Sequence, residues 1–436
     1  MRKPRSTLIT KAGMAFAAAL GLLVSVAGPS AGEAEAAPTG IRVSDGRVVE
    51  ANGNEFVMRG VNHAYTWYPD RTSSIADIAA KGANTVRVVL SSGDRWTRTS
   101  ASEVSSLIGQ CKADKVICVL EVHDTTGYGE DGAATTLDKA ADYWIGVKSA
   151  LQGQEDYVVV NIGNEPFGNN NYTAWTDATK SAIGKLRSAG LDHALMVDAP
   201  NWGQDWSGTM RDNAASVFAS DPDRNTIFSI HMYGVYDTAT EVQDYLNHFV
   251  GNGLPIVVGE FGDQHSDGNP DEDAIMATAQ SLGVGYMGWS WSGNGSGVEY
   301  LDLVNGFDAN SLTNWGERLF NGANGIAATS ETATVYGDGD GDGDGGGTGG
   351  GTAPNGYPYC VDGGSSDPDG DGWGWENNRS CVVPGGDADS GGGTGGGTAP
   401  NGYPYCVDGG SSDPDGDGWG WENNRSCVVP GGDADS

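Results

Sequence analysis

The feature that most constrains the fold is a regular alternation of short apolar strands and helix-like segments between residues 56 and 291. Each strand is rich in β-branched and other apolar residues and ends in polar or aromatic side chains. The predicted strands are 56–62, 85–90, 116–123, 158–165, 194–201, 227–233, 255–260 and 284–291, and helices are predicted at 74–81, 101–112, 137–151, 171–189, 238–250 and 271–281. Eight such strands predict an α/β fold of the (β/α)8 TIM-barrel class.

An open, doubly wound parallel sheet is the alternative to a closed barrel. That fold is disfavoured because no glycine-rich phosphate-binding loop follows the first strand. Ahead of the series, residues 41–57 contain the tight-turn pairs Asp45-Gly46 and Asn52-Gly53 between alternating strands, which predicts a small hairpin.

The amino terminus has the pattern of a secretion signal. Basic residues within 2–11 precede an uncharged stretch, residues 12–32, and small residues precede Ala37-Pro38. An uncleaved membrane anchor is the alternative, but the apolar core is short and interrupted by glycine. We therefore expect residues 1–36 to be removed, leaving a secreted, extracellular protein with no membrane attachment.

The net charge is −34, from 58 acidic and 24 basic residues. Nucleic acids and anionic membranes both require basic surfaces, so neither is an expected partner. We also expect a monomer that uses no cofactor and has no metal ligands.

The composition changes after residue 335, which divides the chain into domains. We expect a catalytic domain over 37–335, and residues 336–353 form a Gly/Asp-rich, self-repelling linker. Residues 345–390 then recur letter for letter as 391–436, which predicts two modules at 354–386 and 400–432 joined by a linker at 387–399.

Two glutamates end strands of the predicted barrel. Glu165 ends the fourth strand within Gly-Asn-Glu-Pro, and Glu260 ends the seventh within Val-Gly-Glu-Phe-Gly. The carboxyl ends of barrel strands form the active face, so the pair is expected to converge there. Cleaving a polysaccharide needs one protonated and one ionised carboxyl group, and a separation of about 5–5.5 Å would make Glu260 a nucleophile. The alternative, solvated loop acids, fits one glutamate better than two.

Other strand ends supply groups that suit this chemistry. Arg87 is expected to hold Glu260 ionised by lowering its pKa, unless it forms only a structural salt bridge. His123 and His231 are expected to contact substrate hydroxyls or the glutamates rather than to be core histidines. The remaining predicted contacts are Asn164 to a sugar 2-hydroxyl, Tyr233 to the nucleophile, and Trp289 beneath a sugar ring, with Trp67, Trp202 and Trp291 as further candidates for sugar contact or for packing.

These residues resemble a known family. Arg59-Gly-Val-Asn62, Asn164-Glu165-Pro166, His231-Met-Tyr233, Gly259-Glu260-Phe261 and Trp289 together resemble glycoside hydrolase family 5 over residues 40–335. The motifs that begin at His63, Val122, Asp198 and Gly288 are similar to those of its secreted bacterial β-mannanases, of the actinobacterial kind.

The resemblance implies a (β/α)8 barrel and a retaining mechanism, with Glu165 as acid/base and Glu260 as nucleophile. It also implies endo-cleavage of a β-1,4-mannan-type polysaccharide, and the preference for mannan over cellulose rests on the resemblance alone. Two alternatives remain: a β-1,4-glucanase of the same family, and a non-catalytic polysaccharide-binding protein whose barrel is a relic.

Each repeat resembles a family 10 carbohydrate-binding module, which implies a cellulose surface as partner. Such a small unit needs a staple, so Cys360–Cys381 and Cys406–Cys427 are the expected disulfides, with crossed bonds between the copies as the alternative that their identical spacing disfavours. The residues expected to stack on polysaccharide are Tyr359, Trp373 and Trp375 in the first copy and Tyr405, Trp419 and Trp421 in the second. A role of the tryptophans in a mini-core is the alternative, and the further cysteine pair of the family is missing.

Two sequence features leave alternatives open. Asp367-Pro-Asp-Gly-Asp371 has the alternating acids of a calcium loop, but Asn378 replaces the glutamate at the twelfth position, which favours a solvated turn. Cys111 and Cys118 either bridge a helix to a strand or are both buried thiols.

Overall fold

The computed structural model describes residues 40–295, 297–337, 373–376, 379–383, 419–422 and 425–429. It divides into two compact units, Met1–Gly339 and Asp340–Ser436. The predicted secretion signal lies outside the described residues. Within the described part of the chain, no helix combines the length and the apolar character that a membrane span needs.

The first unit begins with the predicted hairpin. Strands β1 (Arg42–Ser44) and β2 (Arg47–Val49) pair antiparallel around Asp45-Gly46, and Val49 forms an isolated bridge with Glu55 beyond the second turn. The hairpin prediction is therefore confirmed.

Eight parallel strands follow and close into a barrel, as predicted. They are β3 (Arg59–His63), β4 (Thr85–Leu90), β5 (Ile117–Val122), β6 (Val158–Asn161), β7 (Leu195–Asp198), β8 (Thr226–Met232), β9 (Ile256–Phe261) and β10 (Gly285–Gly288). Neighbours follow chain order, and β10 pairs with β3 to complete the ring.

Helices surround the barrel in the described residues. They are α1 (Ser74–Ala80), α2 (Ala101–Ala113), α3 (Leu137–Gly146), α4 (Lys148–Leu151), α5 (Trp175–Ser188), α6 (Thr209–Ser220), α7 (Ala239–Gly251), α8 (Glu272–Leu282), α9 (Asn314–Asn321) and α10 (Ile326–Thr329). The sequence analysis did not predict α6, whose buried face consists only of Met210, Ala214 and Val217, so its apolar period is weak. It also missed α9 and α10.

Alternate strand residues pack into two different layers. In β5, Cys118 and Leu120 face the helices, whereas Ile117 and Val119 belong to the cluster that fills the barrel. The same alternation continues around the ring, because successive side chains of a strand point to opposite faces. The next inward position of β5 is Glu121, so the apolar interior gives way to polar groups toward the carboxyl ends of the strands.

A disulfide joins α2 to β5. Cys111 and Cys118 are bonded, with their Cα atoms 6.0 Å apart, which resolves the choice between a bridge and two thiols. The bond ties the end of a helix to the strand that it precedes.

In the second unit, each repeat copy contains the same antiparallel pair. Strand β11 (Trp373–Glu376) pairs with β12 (Arg379–Val382), and β13 (Trp419–Glu422) pairs with β14 (Arg425–Val428). Positions outside the described residues are Tyr359, Cys360, Tyr405, Cys406 and the acidic segment 367–371. The two predicted module disulfides and the question of a calcium loop therefore stay as predicted.

Candidate active site

A layer of polar side chains crosses the barrel above its apolar interior. Its members are Arg87, Glu121, Asn161, Asp198 and His231, each at an inward position of its strand, and all are fully buried or nearly so. Buried charges are costly unless they are paired, so their partners indicate what the layer does.

Arg87 is the hub of this layer. Its five N–H groups donate five hydrogen bonds, each to a side-chain oxygen, at 2.7–3.0 Å: to Glu260, Asn62, Asn164, Asp198 and Asn161. A guanidinium has five donors in a fixed fork, so this one is fully satisfied. It fixes the nucleophile candidate and the amide beside Glu165 at the same time.

Glu260 is held from two sides. Arg87 Nη1 donates to one carboxylate oxygen at 2.7 Å, and the Tyr233 hydroxyl donates to the other at 3.0 Å. The contact between Tyr233 and the nucleophile candidate that we predicted is therefore present. Both donors would stabilise a carboxylate anion.

A bulge next to Glu260 aligns it with His231. The register between β8 and β9 shifts after Ile230, so that Gly259 is the extra residue and His231 pairs with Glu260. A Cβ atom on Gly259 would lie 2.1 Å from Ser229 Oγ and 3.2 Å from His231 Nε2. A side chain at this position would require Ser229 to move, and the bulge re-aims the two functional side chains toward each other.

Three carboxylates surround the imidazole of His231. Its Nδ1 lies 2.9 Å from Glu165 Oε1 and 3.5 Å from Glu260 Oε2, and its Nε2 lies 3.4 Å from Asp198 Oδ2. Burial opposes the charge, but Glu260 and Asp198 raise the pKa of His231 to about 10. His231 is therefore an imidazolium at neutral pH, and the prediction that it contacts the glutamates holds.

Glu165 lies beyond its strand rather than at its end. The ladder of β6 stops at Asn161, and Glu165 adopts φ 39°, a left-handed conformation that cannot continue an extended strand. The predicted strand 158–165 was therefore four residues too long. Left-handed backbone outside glycine is concentrated at functional sites, where the surroundings impose it.

The pKa of Glu260 differs from the expectation. Burial raises it above the ordinary value, although the His231 and Arg87 charges act in the opposite direction. Arg87 does lower the pKa of Glu260, but the removal of this carboxyl group from water outweighs the attraction of the guanidinium. The Arg87 and Tyr233 donors favour the ionised form of Glu260 against this effect of burial.

An open cleft of about 650 Å³ lies over this layer. Glu165, Glu260, Asn164, Tyr233, His123 and Trp289 all line it, together with Trp67, Tyr68 and His265. Asn164 is oriented by its neighbours: its oxygen accepts from Arg87 and its nitrogen donates to Thr126 at 2.8 Å. The structure thus brings every predicted site residue of the barrel except Arg87, His231, Trp202 and Trp291 to the surface of one cleft, with the first two directly beneath it.

Aromatic rings enclose His123 at the cleft wall. Trp289 stacks on it with ring centroids 5.7 Å apart, and Trp67 meets it edge-on at 5.0 Å. Glu121 accepts from His123 Nδ1 at 2.8 Å and raises its pKa against the opposing effect of burial. Stacking surfaces beside polar groups are typical of carbohydrate sites.

The remaining tryptophan candidates lie in different environments. Trp291 is fully buried against Phe320 and belongs to the core. Trp202 is half-buried on the rim, where Nε1 donates to Glu130 at 3.1 Å, and it does not line the cleft described above. Its contact with substrate remains a prediction.

Sequence reasoning missed the supports beneath the site. Asp198 was noted only as part of a motif, and Glu121, Asn161 and Asn62 were not assigned. A signal existed, since each is a polar residue inside an otherwise apolar strand, where an unpaired polar group would be costly.

Glu165, His231 and Glu260 also form a group whose ligand-type atoms all lie within 4.8 Å of one another. Such spacing would suit a cation, but an imidazolium has no free lone pair for a metal. The charges of Arg87 and His231 also balance two carboxylates already.

The chain was compared with known families and structures. Residues 49–295 match the model described as Cellulase (glycosyl hydrolase family 5), and residues 350–383 and 396–429 match a cellulose or protein binding domain. A relative from Streptomyces lividans named mannan endo-1,4-beta-mannosidase is 83% identical over 390 residues, covering 89% of this chain and 100% of the relative. A relative from Cellvibrio japonicus with the same name is 54% identical over 367 residues, covering 84% of this chain and 83% of the relative.

A solved structure is similar to this chain over the barrel. The mannotriose complex of the Thermomonospora fusca beta-mannanase is 59% identical and has a TM-score of 0.67, covering 69% of this chain and all of that one. The family model spans more than half of the chain and includes both glutamates, Arg87 and His231. The chain therefore belongs to glycoside hydrolase family 5.

Proposed function

We propose that the protein is a secreted, retaining endo-β-1,4-mannanase that cleaves internal bonds of mannan, galactomannan and glucomannan. The observation that carries the proposal is the pair of glutamates in the cleft, with one oxygen of each within 4.8 Å of the other. The names of the two relatives and the mannotriose complex support mannan as the substrate.

The separation of the carboxyl groups supports retention. Retaining enzymes have carboxyl groups about 5–5.5 Å apart, whereas inverting enzymes leave about 6.5–9.5 Å for a water molecule. The short distance leaves no room for a water between Glu260 and the sugar, so Glu260 attacks the anomeric carbon itself.

The reaction then has two steps. A Glu260 oxygen bonds to the anomeric carbon as the glycosidic bond breaks, and Glu165 gives its proton to the departing oxygen. In the second step Glu165 takes a proton from water, whose oxygen bonds to the anomeric carbon as the ester to Glu260 breaks. Each residue returns to its starting protonation state.

The charges of the buried layer fit these roles. Apart from Glu121, which pairs with His123, Arg87 and His231 carry two positive charges and Asp198 and Glu260 carry two negative charges, so a protonated Glu165 leaves this group neutral. Forming the ester removes the charge of Glu260. Glu165 then becomes the carboxylate that compensates the same two cations, which favours its change from acid to base.

The most direct test is reducing-sugar release from galactomannan and from carboxymethylcellulose, with Glu260→Ala as the blank. Activity on galactomannan, with NMR detecting the β-anomer first, would support the proposal. Activity only on carboxymethylcellulose would favour a glucanase, a reading with some support because a 53% identical relative is named beta-mannanase/endoglucanase A. No release from either polymer would favour a binding protein.

The proposal includes export of the protein from the cell and its attachment to cellulose through the repeats. The basic and apolar amino-terminal pattern supports export, and the match of each repeat to a cellulose or protein binding domain supports attachment to cellulose. Two copies would increase avidity through effective concentration. Amino-terminal sequencing of protein from culture medium should begin at Ala37, and removing residues 336–436 should abolish pull-down on cellulose without loss of activity on soluble galactomannan.

A further inference from the structure

One exposed indole lies on the active face outside the cleft. Among the large hydrophobic residues described, only Trp67 and Trp206 are exposed, at 36% and 53%. Trp67 lines the cleft, whereas Trp206 does not. Trp206 belongs to the loop of residues 199–208, which directly follows β7 and therefore lies at the carboxyl ends of the strands. A single exposed tryptophan needs no explanation by itself. A functional role is indicated only if other residues hold its ring in a fixed position.

The indole of Trp206 is held in place. Its Nε1 donates to Asn169 Oδ1 at 2.7 Å, and its ring meets that of Tyr172 with centroids 5.4 Å apart. The backbone N–H of Asn169 in turn donates to Glu130 Oε2, the same oxygen that accepts from Trp202 Nε1. These contacts fix the edge of the ring and leave much of its surface exposed to solvent.

The loop that presents Trp206 is itself rigid and conformationally unusual. Asn201, Trp202 and Asp205 all have left-handed backbone, with φ of 58°, 56° and 47°. The buried Asp205 carboxylate accepts from the amides of Met210 and Arg211 at the start of α6. Backbone of this kind persists only where the surroundings impose it, and it is concentrated at ligand-binding sites.

The position of the Trp206 indole indicates which part of the sugar chain it would contact. Its anchor Asn169 is four residues after Glu165, so the two Cα atoms are at most about 14 Å apart, a distance that a few linked sugar rings span. Glu165 protonates the leaving group under the proposed function. The Trp206 face lies on the neighbouring loop and is bonded to the segment that follows Glu165, which places it on the side of the acid and therefore of the leaving sugar chain.

We propose that Trp206, supported by Tyr172 and Asn169, is a stacking platform for a sugar ring in the leaving-group part of a β-1,4-linked hexose chain. The proposal rests on the proposed function, because it assumes Glu165 as the acid. The indole offers a flat apolar face, and the axial C–H groups of a pyranose ring offer a matching one.

The test compares two substrates that differ in their leaving groups. Mannohexaose places sugars on both sides of the cleaved bond, whereas a nitrophenyl β-1,4-mannotrioside has only an aryl leaving group. Trp206→Ala should lower kcat/KM on mannohexaose about tenfold, mainly through KM, and leave nitrophenol release unchanged. Trp206→Phe should keep most of the activity on mannohexaose, because a flat ring remains.

Two outcomes would overturn the platform: an equal loss on both substrates, or no loss on mannohexaose. Failure of the proposed function looks different, since the wild-type enzyme would then release no sugar from mannan. If the wild type cuts β-1,4-glucan instead, the same pair of variants is measured on cellohexaose and a nitrophenyl cellotrioside. The platform is then judged independently of the hexose.

Discussion

Two buried arginine–aspartate pairs lie at opposite ends of β8. At the carboxyl end, Arg87 Nη2 donates to Asp198 at 3.0 Å, next to His231 near the end of the strand. At the amino end, Arg187 donates two bonds to Asp221 at 2.9 and 3.1 Å, a few residues before the strand begins. The two aspartate side chains are equally buried, with no exposed area.

The pairs differ in where their remaining hydrogen bonds go. Arg187 also donates to the backbone carbonyls of Leu191, His193 and Asn225 and pairs with Asp223, whose Oδ2 lies 3.0 Å from Nε. Asp221 also accepts from the Thr226 hydroxyl. These contacts join neighbouring segments of the chain. Burial and pairing are thus the same at both ends, and they do not by themselves mark a functional pair.

Around Arg87 the partners are side chains from several strands, and some of them have further atoms that face the cleft. Glu260 and Asn164 each accept from Arg87 and also line the cleft. A buried ion pair therefore serves catalysis when its partners also line the substrate cleft. It serves stability when its remaining hydrogen bonds are made to the backbone of neighbouring segments.

The largest effect is expected from Glu260→Gln, which keeps the shape and the acceptor for Arg87 but removes the nucleophile. Turnover of galactomannan should fall on the order of 10⁴-fold, because one catalytic group of a cooperating set is lost. Circular dichroism should show an intact fold. Retention of more than a few per cent of the turnover would contradict the assigned role.

The next effect separates the two pairs directly. Asp198→Asn should lower kcat/KM about 10–100-fold, the range seen when a buried partner that orients a functional group is lost. Asp221→Asn should leave kcat/KM unchanged and lower the free energy of unfolding by about 2 kcal/mol, because Arg187 loses its fully buried counter-charge and keeps only the partly exposed Asp223.

Kinetics and urea denaturation of both variants would check this prediction. If Asp221→Asn changed kcat/KM as much as Asp198→Asn, or if Asp198→Asn changed only stability, the distinction between the two ends of β8 would be wrong.

A smaller effect is expected from Tyr233→Phe, which removes one of the two donors to Glu260. We expect kcat/KM to fall about tenfold, the cost of one hydrogen bond to a charged group. The acid limb of the pH profile should also move to higher pH, since the lost donor had favoured the carboxylate.

Tyr245→Phe is the matched control for that variant. The Tyr245 hydroxyl donates to the buried Asp205 at 2.7 Å, away from the catalytic glutamates. Its loss should lower stability and leave the pH profile in place. A shifted profile in the control would mean that the shift in Tyr233→Phe is not specific to Glu260.

The smallest effect concerns stability at alkaline pH. The pKa of His231 is about 10, above the ordinary value of about 6.5 in an unfolded chain, so its charge stabilises the fold below pH 6.5 and this contribution is lost as the pH rises through 10. Asp198 is one cause of that raised pKa. Asp198→Asn should therefore flatten the fall of Tm between pH 7 and 10.5, measured by calorimetry.

Asp221→Asn should leave this alkaline slope unchanged, because none of the contacts that we find around Arg187 and Asp221 titrates in that range. Both aspartates have lowered pKa values: burial opposes the shift in each, and the arginine partner outweighs it. Each therefore contributes stability above about pH 4 that is lost on acidification, and either substitution should reduce the acid sensitivity.

Much of the fold and of the site could be predicted from the sequence, for identifiable reasons. The barrel followed from strands whose apolar runs are bounded by polar residues, because burial on both faces requires such runs. Glu165 and Glu260 could be found because their neighbours Asn164, Pro166 and Gly259 end or bend a strand. Helix α6 could not be found, since its apolar period is carried by few large residues.

The sequence by itself determined the eight-strand order, the two glutamates at the carboxyl ends and the repeated modules, because each depends on local pattern and strand polarity. Only the tertiary structure decided that three carboxylates share His231 and that burial raises the pKa of Glu260. It also decided that a bulge at Gly259 sets the alignment. These properties depend on distances between different strands and on exclusion of water, which appear only when the barrel closes.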